Sequence, residues 1–307
     1  MTLKGFLYYI RNPKKMYGFF STRGLLNWMS DKAYVKMAYK ATTGKTLNLK
    51  NPISFNEKLQ WLKLYDRKPL YTELADKYAV RKHIAQAFGD GHLIPLVGGP
   101  WKSFDEIDFD ALPEQFVLKC THDSGGLVIC RDKTKLDKKA ACKKIEKSLK
   151  TKYFYQGREW PYKNIPPRII AEAYMEDENE AAGLTDYKFF CFNGEPRMIY
   201  VSQGLENHAT ASISFYDLEG KEMPFRRSDF RPIQGEMALP GNFAEMTAAA
   251  QKLAQMVDCP FVRIDLYSIC GKMYFSEVTF FPCGGMLPFE PTQWDNELGK
   301  WIRLPID

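Results

Sequence analysis

The sequence has few residues of the types that bind transition metals. Its 307 residues include four histidines, and none of them forms an HxxxH or HExxH pair. The cysteines are odd in number, form no CxxC pair, and in several cases lie in apolar runs, where a thiol behaves as a small hydrophobic group. We therefore expect no zinc site and interpret the cysteines as buried free thiols. The seven are Cys120, Cys130, Cys142, Cys191, Cys259, Cys270 and Cys283.

Long apolar segments are also missing. No run approaches the length of a membrane span, no signal-peptide pattern is present, and the chain has no repeat or low-complexity tract. A hydrophobic content of 45% with 26% charged residues is typical of globular proteins. From these features we expect a cytoplasmic protein with a sizeable core, divided into two domains or forming one large domain.

Acidic residues are almost absent from residues 1–50. This segment contains ten lysines and arginines against one acid, Asp31, and it interleaves these charges with aromatic residues. A basic, aromatic segment suits an anionic membrane, which would give peripheral contact at the inner membrane face, or an acidic glycan. The alternative is a basic helical surface whose aromatic residues pack on the core. Nucleic acid is a less favoured partner, because no helix-turn-helix, zinc-finger or RNP pattern is present.

Two acidic strands occur near the end of the chain, in residues 261–286. Arg263 and Asp265 lie on one face of the first predicted strand, and Glu277 and Thr279 on one face of the second, since strand side chains alternate. Pairing across the turn at 270–272 would bring the two carboxylates together. A shared Mg²⁺ would remove their repulsion, and Arg263 could hold a phosphoryl group. The alternative is an ordinary hairpin with a charged face toward solvent.

Two lysines precede this hairpin in patterns that suit phosphate binding. Lys77 lies within a predicted helix over residues 71–88, where a solvated lysine is the simplest interpretation. Lys119 lies in a predicted strand that leads into a loop, Ser124-Gly125-Gly126, and then into a second strand. Backbone N–H groups of such a loop can close over phosphates, but an unremarkable hairpin loop fits equally well from these residues alone.

Further strands complete the predicted body. Residues 169–175 form an apolar strand with Glu172, and its free end at Tyr174 and Met175 could bind a purine edge or could be a plain strand end. Residues 186–192 alternate and carry Lys188; Asn193-Gly194 then predicts a type I′ turn. The chain is thus predicted to begin with helices and to continue as an α+β body dominated by antiparallel strands.

This order of elements resembles the ATP-grasp superfamily, in the branch named for the teichuronopeptide biosynthesis protein. The resemblance covers roughly residues 50–300 and implies a nucleotide site between two α+β subdomains. It also suggests a division into a helical lead at 1–50, a helical and αβ subdomain at 51–110, a lysine and Gly-loop subdomain at 111–180 and a metal-hairpin subdomain at 181–307. The matching elements are Asp76-Lys77; Lys119 with Ser124, Gly125 and Gly126; Glu172 with Tyr174 and Met175; Arg263-Ile264-Asp265; and Glu277-Val278-Thr279.

The resemblance assigns roles to these residues. It implies that Lys77 and Lys119 contact ATP phosphates under the Gly loop, and that Glu172 with the Tyr174–Met175 backbone binds adenine. Asp265 and Glu277 would hold Mg²⁺, and Arg263 and Lys188 would act in catalysis, Lys188 as a further phosphate contact. Thr279 stands where the family pattern has asparagine, which leaves the number of metal ions open, although a threonine hydroxyl can still ligate Mg²⁺.

The activity implied is carboxylate–amine ligation through an acyl phosphate. The named branch suggests an acidic, uronic-acid-containing glycan or its lipid-linked precursor as the carboxylate substrate, joined to an amino acid or another amine. Two alternatives stay open: a glycosyltransferase of polysaccharide synthesis, for which the usual DxD triplet is absent, and a non-catalytic glycan- or membrane-binding module.

Overall fold

The computed structural model describes residues 12–177, 184–204, 211–235 and 237–306. Residues 1–11, which hold part of the predicted basic and aromatic segment, lie outside these ranges. None of the helices in the described ranges combines the length and the apolar character that crossing a bilayer requires.

The basic segment is helical, as predicted, over the part that is described. It forms α1 (Pro13–Thr22) and α2 (Asp31–Thr43), and α2 ends at Gly44 in the left-handed conformation typical of helix C-termini. Tyr34 and Tyr39 are buried in a small separate core together with part of Tyr17. These tyrosines therefore pack inside the protein, and whether the segment has a membrane or glycan partner stays a prediction.

Three further helices follow: α3 (Phe55–Tyr65), α4 (Pro69–Ala75) and α5 (Val80–Phe88). The helix predicted over residues 71–88 is wrong in one respect, because it is broken at Asp76 and Lys77. The Asp76 carboxylate is buried, accepts the Tyr78 N–H at 2.9 Å, and pairs with Arg168 at 2.5 Å. A side chain that bonds the local backbone competes with helical hydrogen bonds, so Lys77 lies in the break and not within a helix.

The first sheet has four antiparallel strands in the order β1-β4-β2-β3. Strand β1 runs through Gly98, Gly99 and Pro100 with two irregularities in its pairing to β4. Gly99 has φ +94°, and an added Cβ would lie 2.7 Å from the Ile169 carbonyl oxygen. Glycine in a strand thus marks a bulge and a close backbone approach here. The strands are β1 (Leu96–Trp101), β2 (Phe116–Cys120), β3 (Leu127–Cys130) and β4 (Ile169–Ala173).

The helix α6 (Lys138–Leu149) covers this sheet, and the short α7 (Phe154–Gly157) follows it. Ala141 and Ile145 of α6 are buried in the core that lies against the sheet. Strand β1 joins the sheet although it precedes the predicted boundary at residue 110, and the three domain boundaries stay predictions.

The second sheet has five antiparallel strands in the order β10-β9-β5-β6-β7. The predicted type I′ turn is present between its strands β5 and β6, where Asn193 and Gly194 both have positive φ. The strands of this region are β5 (Asp186–Phe192), β6 (Glu195–Gln203), β7 (Ser212–Tyr216), β8 (Arg226–Arg227), β9 (Phe261–Ile269), β10 (Lys272–Thr279) and β11 (Phe289–Glu290); β8 and β11 pair separately. The helices are α8 (Phe243–Val257) and α9 (Trp294–Gly299).

The two faces of the second sheet have different neighbours. On one face Phe189 stacks against Phe243 of α8. On the other face Phe55 of α3 packs against Phe190, Phe192 and Phe261. On the same face, two residues from Phe190 and from Phe261, the strands carry the charged residues Lys188 and Arg263. This face therefore changes from an apolar core into the polar region described next.

Candidate functional site

A row of polar residues crosses the second sheet from β10 to β6. Glu277 lies opposite Asp265, Asp265 lies opposite Lys188, and Lys188 lies opposite Tyr200. Directly paired residues of antiparallel strands share a face, so these four side chains lie on the same side of the sheet. The predicted approach of Asp265 and Glu277 is confirmed.

The pairing of Asp265 with Glu277 depends on a β-bulge. The turn contains two residues, Cys270 and Gly271, both with positive φ, and Lys272 already belongs to β10. Continued from that turn without interruption, the register would place Ser276 opposite Asp265 and turn Glu277 to the other face. An irregularity between Phe275 and Glu277 restores the pairing. The predicted turn at 270–272 is thus one residue too long, and the bulge supplies the missing residue.

Asp265 is fully buried and is held by two cations. Its carboxylate accepts hydrogen bonds from Arg263 at 2.7 and 2.6 Å and from Lys188 at 3.2 Å. Burial alone would raise the pKa of Asp265, but Arg263 and Lys188 lower it below the ordinary value. Burial would likewise lower the pKa of Lys188, but Asp186 and Asp265 raise it. This carboxylate is therefore ionised at neutral pH.

Glu277 and Thr279 extend the same network toward solvent. Arg263 donates to Glu277 at 3.2 Å and to the Thr279 hydroxyl at 3.0 Å, and that hydroxyl lies 3.3 Å from Glu277. In the described ranges no group of three or more His, Cys, Asp or Glu side chains could hold a metal ion. Two carboxylates and a hydroxyl nevertheless fit Mg²⁺, which prefers a few hard oxygen ligands completed by waters and phosphates.

Lys77, one of the two predicted phosphate lysines, contacts the Gly loop. The backbone N–H of Lys77 donates to the Thr121 carbonyl at 3.1 Å, and its ammonium donates to the Asp123 carbonyl. The Asp123 carboxylate in turn accepts from the Gly126 N–H at 3.3 Å and from the Ser148 hydroxyl. An added Cβ at Gly126 would lie 2.8 Å from that carboxylate, so the loop's bend needs glycine at this position. Ser124 and Gly125 are exposed at the tip of the loop.

Lys119 and Glu172 form the centre of a narrow cleft. Lys119 pairs with one oxygen of Glu172 at 2.6 Å, and Arg81 pairs with the other at 3.1 Å while also donating to the Ile94 carbonyl at 2.9 Å. The cavity measures about 40 Å³, much less than the volume of a nucleotide site. It is lined by Lys77, Val80, Arg81, Leu93, Lys119, Glu172, Phe275, Ser276 and Glu277.

Sequence reasoning missed Arg81, and it assigned to the nucleotide site two residues, Tyr174 and Met175, that do not line the narrow cleft. Arg81 lies in α5, and its only sequence signal is a position four residues after Lys77. Tyr174 and Met175 follow the end of β4, and neither belongs to the residues that line the narrow cleft. The Tyr174 hydroxyl instead accepts a hydrogen bond from Arg131 at 2.7 Å. Their role at adenine stays a prediction.

A second, wide cleft lies on the other side of Glu277. Its volume is about 570 Å³, within the range of small-molecule sites. It contains Tyr200, Arg227, Asp229 and Phe230, none of which the sequence analysis identified. The lining residues are Lys188, Tyr200, Arg227, Asp229, Phe230, Arg263 and Glu277.

The loop after β10 is held by helix α3. Gln60 donates to the Gly285 carbonyl at 2.7 Å, and the buried Lys63 ammonium donates to the Gly284 carbonyl at 2.6 Å. Cys283 has a positive φ of 52° in this loop. All seven cysteines are free thiols, but Cys270 and Cys283 are exposed, so the prediction of buried thiols is wrong for these two. Hydrogen bonds from α3 thus fix this loop beside the row of charged residues.

Comparison with known proteins decides the family. The sequence profile of the TupA-like ATP-grasp family matches residues 57–303. This chain belongs to that family. The resemblance noted from the sequence and the expected α+β, ATP-grasp fold class are therefore confirmed, while the roles of the individual residues stay predictions. No curated protein matches the sequence.

Solved structures with a similar fold include several ligases. D-alanine–D-alanine ligase from Bacillus anthracis is 17% identical, with a TM-score of 0.38, over 74% of this chain and 59% of its own length. The corresponding ligase from Helicobacter pylori is 14% identical, with a TM-score of 0.44, over 81% and 69%. An L-amino acid ligase from Bacillus licheniformis is 14% identical, with a TM-score of 0.41, over 83% and 56%. The chain thus spans less than two thirds of the length of the first and third of these proteins.

Proposed function

We propose that this TupA-like ATP-grasp chain is an ATP- and Mg²⁺-dependent carboxylate–amine ligase. The observation that carries the proposal is the position of Glu277, which lines both clefts. One cleft brings together the predicted phosphate lysines, and the other presents cationic and aromatic side chains to a second molecule. A group at this junction can act on a phosphoryl group that passes between a nucleotide and a substrate.

The nucleotide belongs in the narrow cleft. Lys77 and Lys119 would contact the phosphates beneath the loop of Ser124, Gly125 and Gly126, and Glu172 with the Tyr174–Met175 backbone would hold adenine. The cleft must widen for this, because the Lys119–Glu172 ion pair now lies across it. A phosphate would compete for the lysine and thereby release the carboxylate of Glu172.

The reaction has two steps. A substrate carboxylate oxygen attacks the γ-phosphorus of ATP, the bond to the β,γ-bridging oxygen breaks, and ADP leaves. An amine then attacks the carbonyl carbon of the acyl phosphate, phosphate leaves with the C–O electron pair, and loss of a proton from nitrogen gives the amide. Bound Mg²⁺ neutralises phosphate charge in such reactions. Asp265, Glu277 and Thr279 would hold it, while Arg263 and Lys188 stabilise the negative charge on the transferring group.

An acidic sugar suits the wide cleft as the source of the reacting carboxylate. Lys188 and Arg263, which belong to the charge network of Asp265 and Glu277, line this cleft together with the aromatic rings of Tyr200 and Phe230. Cations attract a carboxylate, and aromatic rings pack against the apolar face of a sugar. A uronic-acid-containing glycan or its lipid-linked precursor, joined to an amino acid or another amine, is therefore the substrate pair that we propose.

ADP release with a panel of uronic acids and amino acids tests this function. We expect ADP to form only when both a carboxylate and an amine are present, and mass spectrometry to find a product lighter by one water than the two substrates together. Hydrolysis of a UDP-sugar without any requirement for ATP would instead support the glycosyltransferase alternative.

Lys119→Ala tests the nucleotide cleft without knowledge of the substrate. Removal of the ammonium takes away one charge-assisted contact, so affinity for a non-hydrolysable ATP analogue should fall roughly tenfold to a hundredfold. Lys135→Ala is the matched control, because Lys135 is also paired with a carboxylate, Asp132 at 2.6 Å, but is exposed. Equal analogue affinity in wild type and Lys119→Ala would remove Lys119 from the site.

We propose in addition that the basic N-terminal segment contacts an anionic membrane at the inner face. Trp28 and Leu25 are 83% and 51% exposed, and the Trp28 indole N–H is already satisfied by the Leu25 carbonyl at 3.0 Å. The ring is thus free to enter a lipid interface without leaving a polar group unpaired. Surrounding lysines and arginines complement anionic headgroups.

Trp28→Ala tests this contact by vesicle sedimentation. We expect wild type to bind phosphatidylserine vesicles more tightly than phosphatidylcholine vesicles. The variant should bind about tenfold more weakly, because it lacks the apolar ring that enters the lipid interface. Tyr65→Ala, at an aromatic residue that is 48% exposed outside the segment, should bind as wild type does. No preference for anionic vesicles would contradict the proposal.

A further inference from the structure

The two arginines of β8 point in opposite directions. Arg226 is exposed and pairs with Glu290 of β11 at 2.9 Å. Arg227 is only 9% exposed and lines the wide cleft. Adjacent residues of a strand alternate between faces, so the Arg226 side chain lies at the surface and the Arg227 side chain lies in the cleft.

Arg227 is fixed by its neighbours. Its Nε and Nη2 atoms donate to the two oxygens of Asp229 at 2.9 and 2.6 Å, and Nη1 donates to the Tyr200 hydroxyl at 2.9 Å. The Phe230 ring lies 4.7 Å from the guanidinium carbon. A guanidinium that is oriented before its ligand arrives loses little entropy on binding.

Part of the hydrogen-bonding capacity of Arg227 is unused. A guanidinium has five N–H groups, and the three contacts above use three of them. Within the described ranges the remaining two, one on Nη1 and one on Nη2, have no protein partner. Two N–H groups on neighbouring nitrogens form the fork that binds a carboxylate with two parallel hydrogen bonds.

Arg227 lies away from the place where phosphoryl transfer is proposed. Its partner Tyr200 is on β6, three strands from Glu277 on β10, which corresponds to roughly 14 Å across the sheet. A carboxylate held by Arg227 is therefore not the carboxylate that reacts beside Glu277. Asp229, which is exposed enough to meet a ligand, can accept a hydroxyl or an ammonium group next to it.

We propose that Arg227 is a specificity-determining residue that binds a second, non-reacting carboxylate of the substrates. This inference rests on the proposed ligase function, and it specifies the substrate class: either the acid carries two carboxylates, or the amine is an amino acid whose own carboxylate is bound. The shared chemistry is a carboxylate at the Tyr200 end of the wide cleft.

Ligand-observed NMR titrations of the full chain, with and without Mg²⁺ and a non-hydrolysable ATP analogue, test this. The acid comparison uses D-glucarate against D-glucuronate, and the amine comparison uses L-alanine against ethylamine. In at least one comparison we expect wild type to bind the probe with the additional carboxylate about tenfold more tightly, as a charge-assisted pair provides. The comparison that shows the preference identifies the substrate that Arg227 contacts.

Arg227→Gln should abolish that preference and leave affinity for the ATP analogue unchanged. Arg226→Gln is the matched control, since the same change one residue away on the outer face should keep the preference. If Arg227→Gln is unstable, Arg227→Lys replaces it, because lysine keeps the charge but cannot form two parallel hydrogen bonds to a carboxylate. Arg227→Lys should also reduce the preference.

Two results would overturn the inference: a wild-type protein without preference in both comparisons, or a preference that survives in both Arg227 variants. Failure of the proposed ligase function is a separate result. In that case the wild-type protein would not bind the ATP analogue, regardless of its affinity for the carboxylate probes.

Discussion

We expect Glu277→Gln to remove the dependence of nucleotide binding on Mg²⁺ and to lower ADP formation by about a hundredfold to a thousandfold. The magnitude is that of losing one group that stabilises charge in the transition state. Glu277 is the carboxylate that lines both clefts, and its side chain is 39% exposed, so a metal ion can reach it without disruption of the core. The amide keeps the shape and the contact with Arg263 but gives up the charge that attracts the metal ion.

Calorimetry with a non-hydrolysable ATP analogue, in the presence and absence of Mg²⁺, measures the first part of this effect without a known substrate. Glu290→Gln is the control, because Glu290 is also paired with an arginine, at 2.9 Å, but belongs to β11 outside both clefts. The metal assignment fails if Glu277→Gln retains the full magnesium enhancement.

We expect Asp265→Asn to destabilise the protein by about 3–5 kcal/mol, in addition to any effect on activity. Asp265 has no exposed surface and neutralises both Arg263 and Lys188, so the asparagine variant leaves two cations close together in a buried site. Loss of a single partner from a buried network costs far more than the net contribution of the intact network, because the remaining charges stay desolvated.

Urea denaturation measures this change in the free energy of unfolding. Asp258→Asn is the matched control: Asp258 also pairs with a lysine, at 3.0 Å, but its side chain is 90% exposed, and the expected change is below about 1 kcal/mol. A stability of Asp265→Asn within 1 kcal/mol of wild type would mean that the other carboxylates beside these cations, Asp186 at 2.8 Å from Lys188 and Glu277 at 3.2 Å from Arg263, neutralise them without Asp265.

The sequence predicted most of the strands near the site because their patterns are local. The turn at Asn193-Gly194, for example, is defined by two neighbouring residues, and it is present. Asp265 and Glu277 were also paired correctly, although the prediction used a three-residue turn where the protein has a two-residue turn and a bulge.

The residues that sequence reasoning missed are placed by non-local effects. Tyr200 stands opposite Lys188 only because the β5–β6 register shifts between Phe190 and Cys191, near a proline that cannot donate to the ladder. Arg227 belongs to a two-residue strand without any periodicity, and its partner Tyr200 lies 27 residues earlier in the chain. Such contacts follow from tertiary packing and leave no pattern in the residues around them.

The structure also explains why Lys77 was predicted inside a helix. The apolar rhythm of residues 71–88 is that of a helix on both sides of the break. The buried Asp76 carboxylate interrupts it, because it accepts the Tyr78 N–H and pairs with Arg168, which is 92 residues away in the sequence. The interruption moves Lys77 to the Gly loop, and a continuous helix gives no reason to expect that contact.

The most direct test of the central claim is calorimetry of the wild-type protein with a non-hydrolysable ATP analogue, with and without Mg²⁺, and with UDP-sugars as controls. The ligase proposal predicts binding of the ATP analogue that Mg²⁺ strengthens, and no binding of UDP-sugars. Binding of a UDP-sugar alone, or of no nucleotide, would contradict the proposal that the junction at Glu277 transfers a phosphoryl group.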